Sequence, residues 1–173
     1  MKCCGHKCKG TRGETACLPC LEPECREAES RLPDKEEMCT ICYTSSLEDE
    51  PSVQLDCGHI FHANCVRRLL QHKWNTLKIS FSFMDCPTCK RAIEASHCPP
   101  VNHELKKLNK LRSNIETKAV KAAKEEGLDK DPRLTTPGDF FYGKLREFAL
   151  HNCSFYECAE CSKPYFGGLV DCE

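Results

Sequence analysis

A small, irregular α+β fold, stapled by metal more than by an apolar core, is what this sequence predicts. Three observations carry that expectation. Seventeen of the 173 residues are cysteine, about twice the share that already signals a cysteine-held scaffold. The apolar fraction is 40% with those cysteines counted in it, so little is left for an ordinary core, and small modules of this kind need staples. The cysteines also recur as Cys-x-x-Cys pairs with histidines between them, a spacing that reads as zinc ligation.

The compartment follows from the same residues. The opening Met1-Lys2-Cys3-Cys4-Gly5-His6 shows no apolar signal region. No apolar run reaches the ~18 residues of a membrane span. The expectation is therefore no membrane, and thiols kept free for metal in the reducing cytoplasm or nucleus. The net charge of −1 lacks the basic excess of a dedicated nucleic-acid binder, which points away from nucleic acid as the main ligand.

Four segments read differently. Residues 1–30 are rich in Cys and Gly, and Leu32 to Met38 reads as an acidic linker. Residues 39–91 hold the densest set of ligand types. Residues 101–127 contain no cysteine and read as an amphipathic helix. There Leu105, Leu108, Leu111, Ile115, Ala119 and Ala122 follow three-or-four spacing, after Pro99-Pro100 and before Gly127. Its lysine-rich face reads as a solvated surface, with a coiled-coil or ubiquitin-facing role as the alternative. Residues 131–173 bring four more cysteines and many aromatics.

The central constellation runs Cys39-x-x-Cys42, fourteen residues, Cys57-x-His59-x-x-His62-x-x-Cys65, twenty residues, Cys86-x-x-Cys89. Zinc takes four thiolate or imidazole ligands in a tetrahedron, so four pairs make two closed sites. In a cross-brace, Cys39, Cys42, His62 and Cys65 share one ion, while Cys57, His59, Cys86 and Cys89 share the other. With every position filled by protein, both metals are structural, and the fragment is expected to be unfolded without them.

This segment resembles the RING family of ubiquitin ligases. The resemblance implies a shallow groove for a ubiquitin-conjugating enzyme. Its residues are Ile41 inside the first ligand pair, Trp74 in the position of a central-helix residue, and Pro87 in the last pair. It implies that Lys90, after the last ligand, is the cation that bridges conjugating enzyme and ubiquitin, catalysis by orientation for which Arg is the stronger choice. Arg91 stands beside it. A central helix is expected near 63–73, together with a short β-hairpin.

At the N-terminus, Cys4-Gly5-His6-x-Cys8 and Cys17-x-x-Cys20 offer ligands for at least one further zinc, with Cys3 and Cys25 as extra candidates. The opening resembles fingers of the NF-X-one type. In the tail, Cys158-x-x-Cys161 supplies half a zinc site. Its complement is either a pair beyond Glu173 or Cys153 and Cys172.

Taken together, the chain resembles the C-terminal part of the PHR (Pam/Highwire) family of RING-Cys-relay ubiquitin ligases. Beyond the RING, the motifs that carry this are the Cys-Cys-Gly-His start, Cys17-Leu18-Pro19-Cys20, Thr135-Thr136-Pro137-Gly138 and Tyr165-Phe166-Gly167-Gly168. The resemblance implies a ubiquitin-protein transferase that acts on a protein substrate. It also implies that Cys172 matches the first relay cysteine, with the second relay cysteine and most of the tandem-cysteine domain having no counterpart here. Against a working Cys172 thiolate stand the flanking carboxylates of Asp171 and Glu173, which disfavour its charge. The alternatives for Cys172 are a zinc ligand or an inert thiol. The contrasting reading of the whole chain is a non-enzymatic zinc-finger scaffold that binds protein or nucleic acid.

Overall fold

The computed structural model describes residues 4–26, 32–74, 76 and 78–167. It divides into two compact units, one of 1–73 with 81–108 and one of 74–80 with 109–173.

The first unit is built around a hairpin and one helix. After α1 (Pro23–Arg26), strands β1 (Ser52–Gln54) and β2 (Ile60–His62) pair antiparallel, with Val53 opposite Phe61. Gly58, at φ 90°, turns the loop between them, and the Leu55 amide closes it onto the His59 carbonyl. Helix α2 (Ala63–His72) follows β2 directly and buries Ala63, Val66 and Leu70 on one face, the spacing of an amphipathic helix. Its cap residue is His62, whose side chain makes no capping hydrogen bond. The hairpin and helix thus match the expected central element.

The core of this unit includes Phe61, Leu70, Met84 and Leu105, each no more than 2% exposed. Leu18 and Leu21 join the same cluster, so the N-terminal segment is not an independent knuckle. Backbone bonds from the Ser52 amide to Lys9 and from the Thr15 amide to His97 tie it down. The stretch from Leu32 to Met38 departs from the expected linker. Leu47 and Glu48 donate to the carbonyls of Glu37 and Lys35, and Lys35 pairs with Glu22 at 2.9 Å. Lys35 is thus paired, while Glu36 and Glu37 stay exposed.

Helix α3 (Pro99–Glu125) starts two residues before the expected 101–127 element and ends two residues before its end. Pro99 and Pro100 lie within its first turn. Their missing amides cost nothing where no intrahelical partner exists. Gly127, in the left-handed region at φ 73°, follows its end. Val101, Leu105 and Leu108 belong to the first core.

In the second unit Ile115, Ala119 and Ala123 are buried, with Leu134, Phe148, Ala149, Cys153 and Phe155. Here α4 (Pro132–Thr135) is capped by Asp131, whose carboxylate accepts from the Arg133 amide. Then come α5 (Leu145–Asn152) and the hairpin of β3 (Phe155–Glu157) with β4 (Pro164–Phe166). The Ile79 amide donates to the Phe155 carbonyl. Among the described residues no helix is long and apolar enough to cross a membrane.

Candidate metal centres

Cys39 and Cys42 sit on a tight turn. The Tyr43 amide donates to the Cys39 carbonyl at 2.9 Å, and Tyr43 takes a left-handed φ of 53°. The same turn recurs at Cys86-Pro87-Thr88-Cys89, where the Lys90 amide donates to the Cys86 carbonyl at 2.9 Å and Lys90 has φ 59°. A Cys-x-x-Cys segment folded this way can present both sulfurs to one centre. Strand β2 delivers His62, the first turn of α2 delivers Cys65, and the hairpin loop delivers Cys57 and His59.

The tertiary fold gathers these pairs crosswise. The donor atoms of Cys39, Cys42, His62 and Cys65 lie within 4.8 Å of one another, and so do those of Cys57, His59, Cys86 and Cys89. His62 Nδ1 is 3.6 Å from Cys42 Sγ and 3.8 Å from Cys65 Sγ. His59 Nδ1 is 3.3 Å from Cys57 Sγ. A tetrahedron with Zn–S bonds of ~2.3 Å has ligand–ligand edges of about 3.8 Å, so the donor sets are already spaced for the ion. His62 Nε2 lies 2.8 Å from the Ser46 carbonyl, which fixes the tautomer that leaves Nδ1 for metal.

The electrostatics also fit a cation. Burial, then the neighbouring Cys39 and Cys42 sulfurs, push the Cys65 thiol up to about 12. Burial first, with the facing Cys86 and Cys89 sulfurs, pushes Cys57 up to about 11. Hydrogen bonds from Thr44 hold Cys42 down at about 5, and the Arg91 amide holds Cys89 down at about 6. Thiols this close cannot all ionise alone. A divalent metal reverses that logic by stabilising every thiolate at once.

The N-terminal donors separate into two groups. Cys4, His6, Cys20 and Cys25 come together, and Cys8, Glu14 and Cys17 form another set. His6 Nδ1 faces Cys25 Sγ at 3.4 Å and Cys20 Sγ at 3.7 Å, while its Nε2 lies 3.4 Å from a Glu24 carboxylate oxygen. That carboxylate–histidine arrangement is how metal-bound imidazoles are oriented. The expected donors Cys4, His6, Cys8, Cys17 and Cys20 thus fall into two groups, and Cys25, an extra candidate in the sequence, is the fourth donor of the first. Glu14 carried no signal in the sequence, because a loop carboxylate has no ligand spacing to betray it.

In the tail, the Ser162 amide donates to the Cys158 carbonyl at 2.9 Å, and Ser162 has φ 55°. Cys158 and Cys161 therefore repeat the turn of the two central Cys-x-x-Cys pairs. Among the described residues Cys153 forms no three-donor group with them. It is 3% exposed, faces the Ala119 carbonyl at 3.8 Å, and burial pushes its thiol up. Cys172 lies outside the described residues.

The docking residues are placed unevenly. Ile41 is half-buried against the first core, and Pro87 is half-buried in its turn. Trp74 does not lie in the central helix as expected. That helix ends at His72, where Lys73 takes φ 53°, and Trp74 opens the segment 74–80 of the second unit. Lys90 is exposed. Arg91 donates to the Cys57 carbonyl at 3.1 Å and lies beside the Cys89 thiol, so its guanidinium clamps the second donor set.

These features define a RING finger domain: residues 37–90 match the family model described as "Ring finger domain". Beyond the RING, the likeness runs along nearly the whole chain. It is 37% identical over 175 residues to E3 ubiquitin-protein ligase MYCBP2 of Danio rerio, covering 98% of this chain and 4% of that protein. It is 34% identical over 182 residues to E3 ubiquitin-protein ligase highwire of Drosophila melanogaster, covering 99% of this chain and 3% of that protein. The chain thus spans a small fraction of the length of these relatives.

Proposed function

We propose that this chain is a ubiquitin-ligase module, whose RING receives a ubiquitin-charged conjugating enzyme and promotes transfer to a protein substrate. The observation that carries this reading is the crosswise gathering of eight Cys and His donors, in a chain that aligns end to end with part of two E3 ubiquitin-protein ligases. The RING sites hold Zn²⁺ through Cys39, Cys42, His62 and Cys65 and through Cys57, His59, Cys86 and Cys89. The ions supply rigidity, with no open position for chemistry. The modules are read as an N-terminal zinc segment (1–30), the RING (39–91), a helix (101–127) and a partial tandem-cysteine tail (131–173). In the N-terminal segment Cys4, His6, Cys20 and Cys25 hold a further zinc. In the tail Cys158 and Cys161 supply half of another.

Ile41 and Pro87 form the apolar contact for the conjugating enzyme. Lys90 orients the thioester from the exposed end of the last ligand turn, because Arg91 is occupied inside it. Cys172 is the acceptor in a cysteine relay. There its thiolate attacks the ubiquitin thioester and the conjugating enzyme leaves as its own thiolate. The module acts in the cytoplasm, where these thiols stay reduced.

The test is discharge of a ubiquitin-loaded conjugating enzyme by the zinc-loaded chain. Accelerated loss of ubiquitin, reduced by Ile41→Ala, is expected. Unchanged discharge sinks the reading and leaves a non-enzymatic zinc scaffold. A reductant-sensitive ubiquitin adduct on the chain, absent in Cys172→Ser, is expected for the relay. Discharge without any adduct removes the relay and leaves a RING that only orients the thioester.

A further inference from the structure

We propose that Cys8, Glu14 and Cys17 form an open metal site of their own, which binds a soft or borderline divalent ion such as Zn²⁺ and leaves one coordination position to solvent. Cys8 Sγ and Cys17 Sγ are 3.5 Å apart, and Glu14 Oε1 is 3.9 Å from Cys8 Sγ. The three donor atoms lie within 4.8 Å of one another, close to the ~3.8 Å edge of a zinc tetrahedron.

The donors are held, not merely adjacent. The Thr11 amide donates to Glu14 Oε2 at 2.9 Å and the Leu18 amide to Oε1 at 3.1 Å. Each oxygen keeps a lone pair for an ion. The Gly10 amide donates to Cys8 Sγ at 3.3 Å. A Cβ at Gly10 would meet the Glu14 carboxylate, so a side chain there would push the carboxylate aside.

Two thiolates and a carboxylate select Zn²⁺ or Cd²⁺ over Ca²⁺ or Mg²⁺, which prefer all-oxygen shells. Among the described residues these three are the site's protein donors, which leaves a fourth position, unlike the four-donor groups. Cys8 and Cys17 are both exposed, and they line a cavity of about 210 Å³ whose walls include Lys7, Leu18 and Pro19. The fourth position therefore opens toward that cavity, where water or a thiol from outside can enter. The site stands apart from ubiquitin transfer and can fail while discharge remains intact.

The experiment is ¹¹³Cd NMR of the full chain reconstituted with ¹¹³Cd²⁺. The closed sites give strongly deshielded resonances from sulfur-rich shells. One further resonance, shifted upfield by oxygen donors, is expected. Glu14→Gln should move that signal alone, and Cys8→Ser/Cys17→Ser should remove it together with one metal equivalent per chain. Glu14→Gln keeps an acceptor for only one of the two loop amides, so the paired cysteine variant is the arm that leaves this loop bonding intact. An unchanged spectrum and metal count in both variants overturns the proposal. So does a chain in which Cys8 and Cys17 are joined as a disulfide under reducing purification.

Discussion

Lys90 concentrates two demands on a single residue. Its left-handed φ of 59° completes the Cys86–Cys89 turn, where an L side chain costs roughly 1–2 kcal/mol that glycine does not incur. A cation is nevertheless present, which fits a role outside the turn. Lys90→Gly should leave the melting temperature unchanged or slightly raised, yet slow discharge from the conjugating enzyme several-fold. Lys90→Arg should speed it, because the planar fork offers more donors. If Lys90→Gly keeps full activity, the cation has no part in transfer. Arg91→Ala should act differently, loosening the second donor set by removing the bond to the Cys57 carbonyl. The readout is faster zinc loss to a chelator.

At the scale of elements, the second unit depends on α5 more than on its short strands. Phe148 is fully buried, meets Phe141 edge-on at 5.2 Å and lies 4.7 Å beneath the Arg133 guanidinium. Phe148→Ala removes the apolar area, the aromatic pair and the cation–π contact together. A loss of about 3–5 kcal/mol in denaturant unfolding is expected. The matching site on α3 is Leu105, also fully buried, where Leu105→Ala should cost the first unit about 2–5 kcal/mol. Substitution on the lysine face, as at Lys106 or Lys110, should change stability little, since both are exposed.

At the scale of the whole molecule, metal decides folding. Every three- or four-donor group among the described residues falls in the first unit. Chelation should therefore abolish amide-exchange protection over 32–73 and 81–98, and added zinc should restore it. The pH dependence follows from the thiols. Cys65, up to about 12, and Cys57, up to about 11, are protonated at neutral pH without metal. Zinc uptake must expel those protons. Uptake should accordingly strengthen as pH rises and weaken as it falls, with proton release visible as buffer-dependent heat in calorimetry. Cys42, held at about 5, is already thiolate at neutral pH. Its charge is lost only as pH falls through that value, so acid should strip the first site in the last stage there.

Much of this was written in local spacing. A Cys-x-x-Cys pair needs only its own turn to aim two sulfurs together, so Cys39 with Cys42, Cys86 with Cys89 and Cys158 with Cys161 were legible as half-sites. The amphipathic period of α3 was legible for the same reason, since helix spacing is local, whereas α2 was expected only from the RING resemblance. What lay beyond local spacing was decided by tertiary packing. Glu14 reached two thiols through a loop folded back by its own backbone hydrogen bonds. Cys25, and not Cys8 or Cys17, came to lie with Cys4, a choice local spacing left open, and Leu18 and Leu21 merged the N-terminal segment with the RING core. Lys73 ended α2 before Trp74. Ligand identity and pairing along a turn are properties of neighbours in sequence. The choice of which turn meets which is set by burial, and burial belongs to the folded chain.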